Sequence, residues 1–319
     1  MSGIERKVRG SELDPEFAAS VLDGLSRPQK RIESKYLYDA EGSRLFDRIC
    51  TLAEYYPTRV ETALLRENAG ELRAVVPEGA ALVELGSGSS IKTRILLDAL
   101  PSLAAYVPVE ISVEHLRAAA AEIAQDYHAL SVHPVVGDFT QPITIPAEVC
   151  GFQKLLFFPG STIGNFTVDE ARSLLSQLRS IPAGAGLLIG VDLVKDVDRL
   201  IRAYDDGEGV TAAFNTNLLT RINRELDGDF DPGAFAHKAY WNAVESRIEM
   251  HLESLATQRA TVAGHSFRFR EGETIHTENS HKFTASGFQA LAAAAGWSPA
   301  RMWRDPEGLF SLHFLTPMP

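Results

Sequence analysis

A carboxylate closes an apolar run at Glu84, Gly86-Ser87-Gly88 follows at once, and a helical pattern containing Lys92 begins a few residues later. A buried strand feeding a glycine turn and a helix N-terminus can hold a nucleotide-like ligand. Backbone N–H groups point outward there, and glycine lets a ligand approach the main chain. The turn departs from G-x-G-x-x-G, because Ile91 stands three residues after Gly88. A strand-end carboxylate also suits a cation better than a pyrophosphate. Glu110 closes the next apolar run, where a carboxylate can accept from ribose hydroxyls. Asp138 follows Gly137 after the third run; it can accept from an adenine amino group while Phe139 lies against the ring. Taken in order, these residues fit S-adenosylmethionine better than NAD. Plainer readings exist: Glu110 and Asp138 as solvated strand-end acids, and Phe139 as a core ring.

The elements that must carry these residues follow from apolar patterning. Strands are expected at Ala81–Leu85, Ala105–Glu110, 132–136, Lys154–Phe158 and 186–192, with helices at 90–100, 113–127 and 168–180 between them. Such alternation implies a parallel, doubly wound α/β sheet. One amphipathic helix is expected over 58–76, capped by Thr58. The alternation breaks over 194–283. Helices are expected at Val197–Tyr204 and 210–226, followed by a loop and a long β segment. In 247–253, Ile248, Met250 and Leu252 alternate with Arg247, Glu249, His251 and Glu253, the period of a half-buried strand. In 274–283 the same period puts His276, Glu278, Ser280 and Lys282 on one face. It turns His281 away, which argues against a metal held by His276, Glu278 and His281. Thr284 caps a last helix. The tail reads as a hairpin around 305–308, so an antiparallel last strand is expected.

The totals exclude several classes. The chain has 319 residues, 45% hydrophobic and 23% charged, as in globular proteins. A net charge of −11 leaves no basic surplus for nucleic acid or an anionic membrane. Cys50 and Cys150 have no metal-type spacing, and a reducing, cytoplasmic setting is expected. The first residues lack the apolar segment of a secretory signal, and no apolar run is long enough to span a bilayer.

The motifs YDAEGSRLFDRI, EYYPTR, VELGSGSSIKTR, GDF, GSTIGNF, DLVKD, RAYDDGEGVTAAFN, NRELDGDFD, RIEM and TENSHKF together resemble the ergothioneine-pathway histidine N-alpha-methyltransferases, from about Lys35 to the C-terminus. The resemblance implies a class I methyltransferase sheet, Rossmann-like with an antiparallel last strand, and a second α+β domain for the substrate. Residues 1–59 and 194–282 would form the substrate domain; 60–193 and 283–319 would form the S-adenosylmethionine domain. It implies trimethylation of L-histidine to hercynine by a monomer, with no metal, nucleic acid or membrane. Glu84, Gly86, Ser87, Gly88, Lys92, Glu110, Asp138 and Phe139 would hold the cofactor. Tyr55, Asn165 and Tyr204 match positions that hold the α-carboxylate and α-amine, with Gly160 of the GSTIGN motif beside them. Glu278 and Ser280 match positions that read the imidazole, and Met250 packs by the ring. Tyr38 matches an aromatic near the methylated nitrogen, so Tyr38 and Asn165 would be the catalytic pair.

Bland readings stand beside these. Tyr38 and Tyr55 serve as interface aromatics, Asn165 as the N-cap of helix 168–180, Met250 as core, and Glu278 as a surface partner of Lys282. Three rival functions remain on the sequence. The same fold could methylate another free amino acid such as tryptophan. The chain could be a non-catalytic S-adenosylmethionine-binding regulator. A nicotinamide dehydrogenase is the third, disfavoured by the glycine spacing.

Overall fold

The computed structural model describes residues 13–88, 90–181 and 184–319. What was expected of residues 1–12 lies outside the described residues. The apolar runs become one mixed sheet. From one edge its strands are Trp297–Arg304, Phe310–Pro317, Gly184–Asp192, Lys154–Phe158, Ala81–Leu85 and Ala105–Glu110, with Ser131–Val132 and Val135–Val136 beside the last. The pairings are parallel except those of Phe310–Pro317, which runs antiparallel to both neighbours. The α/β class and the antiparallel last strand are therefore as expected. Every residue of Ala81–Leu85 and Lys154–Phe158 is buried, because helices cover both faces.

The chain runs outward from Ala81–Leu85 through Ala105–Glu110, then returns to lay Lys154–Phe158 on the other side of Ala81–Leu85. A doubly wound sheet opens a crevice at such a reversal, at the carboxyl ends of the strands. Gly86 leaves one of these two strand ends, and Gly160 follows the other.

A second, four-stranded sheet has the order Lys30–Arg31, Thr274–His281, Arg247–Ser254, Phe235–Asn242. Helices Pro15–Ser26 and Val210–Glu225 share a core with it, built around Phe17, Leu25, Leu218, Met250, Leu252 and Ile275. The chain leaves the large sheet after Asp192 and re-enters at Phe283, where Leu193 and Phe283 form a parallel bridge. No helix among the described residues is long and apolar enough to cross a membrane.

Two expectations fail locally. The helix over 58–76 is two, Tyr56–Glu67 and Ala69–Val75, and the first begins after Tyr55 rather than at a Thr58 cap. The break is at Asn68, whose side-chain amide shares the Leu64 carbonyl with its own backbone N–H, at 2.8 and 3.1 Å. The strand over 132–136 is two short pieces, because Pro134 between them has no N–H to give.

Candidate active site

One wall of the crevice comes from the large sheet. Gly86 has φ +72, and a Cβ there would stand 3.5 Å from the Phe139 ring. The Ser87 hydroxyl in the same turn is buried without a partner. Glu84 is buried, and its Oε2 accepts from Thr93 Oγ1 at 2.6 Å and the Tyr106 hydroxyl at 2.5 Å. Burial pushes its carboxyl up to about 7 against the pull of those two bonds. Glu110 Oε1 accepts from the N–H groups of Ile111 and Ser112, which holds its turn. Asp138 Oδ1 accepts from the Thr140 N–H and hydroxyl, while Oδ2 meets Lys35 Nζ at 3.1 Å. Burial raises the Asp138 carboxyl, but Thr140 and Lys35 outweigh it and hold it below the usual range. Lys35 comes from the N-terminal segment and was not foreseen from sequence. Lys92 pairs with the buried Glu61 at 2.5 Å, and Glu61 also accepts the Gly160 N–H at 2.9 Å. The Glu61 side chain thus ties the glycine-turn helix to the second strand end.

The other wall comes largely from the second sheet and its helices. Tyr55 and Tyr204 meet edge to face, with ring centroids 6.1 Å apart. Tyr38 packs on Phe46 and Phe214 at 5.5 and 5.4 Å. Asn165 ends a short 3-10 turn, Thr162–Asn165, reached through Gly160 (φ +79) and Ser161 (φ 56). Its N-cap reading is wrong. The following helix, Val168–Leu178, is capped by Thr167, which exchanges bonds with Glu170 in a capping box. The Asn165 amide, the Tyr38 and Tyr55 hydroxyls and the Glu278 carboxylate make no hydrogen bond to any described residue. Burial raises both phenols well above their ordinary range. Burial also pushes the Glu278 carboxyl up to about 8, with Lys282 pulling the other way.

Sequence reasoning missed a buried charge network behind this wall. Lys282 Nζ donates to the Tyr204 hydroxyl at 2.9 Å, to Ser280 Oγ at 2.7 Å, and lies 2.8 Å from Asp192 Oδ2. Tyr204 and Ser280 are themselves hydrogen-bonded at 2.6 Å. Asp192 also takes Lys195 and the Tyr56 hydroxyl, the latter at 2.7 Å. Burial lowers the Lys282 ammonium pKa, but Asp192 more than offsets this and leaves it raised. The available signal was Lys282 in step with Glu278 and Ser280, and the DLVK run at 192–195. Glu278 does not pair with Lys282 at the surface: both are buried.

Strict alternation fails once in Thr274–His281. His276 lies opposite His251, yet Glu278 lies opposite Met250, so the strand bulges at Thr277. His276 therefore faces away from Glu278 and sits on the side of His281, reversing the expected arrangement. His276 stacks on His251 with centroids 4.5 Å apart and planes 5° from parallel, near Glu249. Parallel rings aim their nitrogen lone pairs side by side rather than at one point. Glu249, held by Arg247 and Asn242, accepts from His251 instead.

The two walls enclose a cavity of about 500 Å³ with a smaller one of about 40 Å³ at its end. All eight residues expected on the cofactor side line the larger space. Tyr38, Tyr55, Gly160, Asn165 and Glu278 line both. Tyr204, Met250 and Ser280 close the smaller one, and Met250 lies opposite Glu278 in register.

A family model described as histidine-specific methyltransferase, SAM-dependent, matches residues 17–317. The histidine N-alpha-methyltransferases of Mycobacterium tuberculosis and Mycolicibacterium smegmatis are each 45% identical over 299 residues, covering 92% of this chain and of each relative. Ergothioneine biosynthesis protein 1 of Neurospora crassa is 29% identical over 310 residues, which cover 92% of this chain and 34% of that longer protein.

Proposed function

The chain belongs to the histidine-specific, S-adenosylmethionine-dependent methyltransferase family, and from that premise we propose that it methylates the α-nitrogen of L-histidine three times to give hercynine, the first step towards ergothioneine. The observation that carries this reading is one shared cavity. The glycine turn faces its larger part, and four unsatisfied polar groups (Tyr38, Tyr55, Asn165 and Glu278) line the passage to its far end. Polar groups that converge on a cavity without a protein partner are free to bind a ligand there.

The residues present fit S-adenosylmethionine. The Gly86 turn leaves room for close approach, the Ser87 hydroxyl is orphaned, and Phe139 stands beside the turn. Glu110 and Asp138 each keep acceptor capacity towards the cavity, for ribose and adenine. The bound cofactor supplies a methyl group already activated on a sulfonium, so the protein's task is to place the nitrogen. The two lobes that meet here are proposed as the domains 1–59 with 194–282 and 60–193 with 283–319.

At the far end, Glu278 accepts one imidazole N–H and Ser280 serves the other nitrogen. Tyr55 and Asn165 donate to the α-carboxylate, and the amide oxygen orients the amine; Tyr204, expected with them, has its hydroxyl bonded to Lys282 and Ser280 and takes part through Ser280. Burial favours the protonated form of the Tyr38 and Tyr55 phenols, which suits them to donate. As methyl groups replace N–H donors, the Tyr38 face holds the growing cation by cation–π attraction worth roughly 0.5–2 kcal/mol. Incubation of the protein with histidine and S-adenosylmethionine, read by mass spectrometry, should show three successive methyl additions. No addition to histidine, with turnover of another amino acid in the same screen, would reassign the substrate.

A further inference from the structure

We propose that Lys282 is a specificity-determining positioning residue: by filling one acceptor site of Ser280 beside the one that Tyr204 fills, it makes that hydroxyl an obligate donor and selects one neutral imidazole tautomer. The inference rests on the reading of Glu278 and Ser280 as the imidazole-binding pair.

The argument is a count of protons. A lysine ammonium has three N–H groups and no acceptor. Those of Lys282 go to Asp192, Tyr204 and Ser280 at 2.8, 2.9 and 2.7 Å. The Tyr204 and Ser280 oxygens lie 2.6 Å apart, so one proton is shared between them. A phenol is the stronger acid and an aliphatic hydroxyl the stronger base, so Tyr204 donates and Ser280 accepts. Ser280 Oγ then accepts twice, from Lys282 and from Tyr204, and both its lone pairs are used. Its own proton is left for the cavity that it lines beside Glu278.

A neutral imidazole carries one N–H and one lone pair. Facing a fixed donor, it must turn the lone pair to Ser280 and the N–H to Glu278, which then accepts as a carboxylate. Without Lys282 one acceptor site of Ser280 is empty. Ser280 regains a lone pair for the ring N–H, and a Glu278 carboxyl that keeps its proton donates to the other nitrogen. Burial already favours the protonated carboxyl, and Lys282 is the charge that opposes this. Asp192 fixes the ammonium in place, with Lys195 and the Tyr56 hydroxyl on its other side.

The test is nitrogen NMR of ring-labelled L-histidine bound to the full chain with S-adenosylhomocysteine at neutral pH. The wild-type protein should show one protonated and one unprotonated ring nitrogen in a single tautomer. In Lys282→Met the proton should move to the other nitrogen or average between the two. The KM for histidine should rise roughly ten- to a hundred-fold, while S-adenosylhomocysteine affinity changes less than about two-fold, within the context-dependence of one contact. If the single variant fails to fold, Lys282→Met with Asp192→Asn removes both charges and carries the same expectation. A purely structural lysine would lower the melting temperature and leave the nitrogen pattern untouched; that pattern, or two tautomers in the wild type, overturns the proposal. Failure of labelled histidine to bind the wild-type protein at all removes the substrate reading, and this one with it.

Discussion

Glu84 and Glu278 are the same residue type, both buried, on opposite walls of one cavity. Burial raises the carboxyl pKa of each. They differ in who completes them. Thr93 and Tyr106 already donate to Glu84, so the fold finishes that site by itself. No described group donates to Glu278, so its partner has to arrive from outside. The walls differ likewise: the nucleotide side is largely pre-wired, through Thr140 to Asp138 and Glu61 to Gly160, and the amino-acid side is left open.

The sharpest way to break this contrast is to remove each acid in turn. Glu278→Ala should cut histidine turnover by up to about 10⁴-fold with cofactor affinity unchanged by isothermal titration. Glu84→Ala should act first on the melting temperature and cofactor affinity. Equal losses in both variants would erase the distinction.

The next effect is on stability against pH. A carboxyl raised from its unfolded value of 4.5 to about 8 keeps its proton in the folded state after the unfolded chain has released it. Its contribution is fully present below pH 4.5 and is lost as pH rises through 8, at about 1.4 kcal/mol per pH unit. Glu278→Gln should therefore stabilise the ligand-free protein above pH 8, by a few kcal/mol on this scale, and leave it unchanged at pH 4. Denaturant titrations at the two pH values measure this. A smaller effect is expected on the pre-wired wall. Asp138→Ala should weaken the cofactor roughly ten-fold, the loss of one hydrogen bond to a charged group, with histidine binding intact. Smallest should be Lys35→Met, a half-buried pair costing about two- to three-fold in cofactor affinity and less at high salt.

The sequence showed the large sheet well, because continuous apolar runs between helical patterns leave little choice of class. Lys154–Phe158 and Val197–Tyr204 have the bounds expected of them. What escaped was decided by single polar or proline residues: Asn68 dividing a helix, Pro134 dividing a strand. The Thr167-x-x-Glu170 box stood in plain view, yet Asn165 looked equally able to cap. Motif resemblance supplied the candidate residues, but not their company. That Lys282 and Asp192 stand behind Ser280 depends on two strand ends brought together from 90 residues apart in the chain. Period-two reasoning grouped Glu278 with Ser280 correctly and misplaced His276, since a bulge leaves no mark on apolar alternation.

That bulge has a further consequence. Thr277 is the supernumerary residue of its strand, anchored where its hydroxyl donates to the Met250 carbonyl at 3.0 Å. It works as a spacer in a reading frame. The half of the strand before it keeps step with Lys30–Arg31 and the histidine stack, and the half after it keeps step with Glu278, Ser280 and Lys282. The extra residue lets Ile275 keep the Leu252 core face while Glu278 and Ser280 take that same face at the pocket.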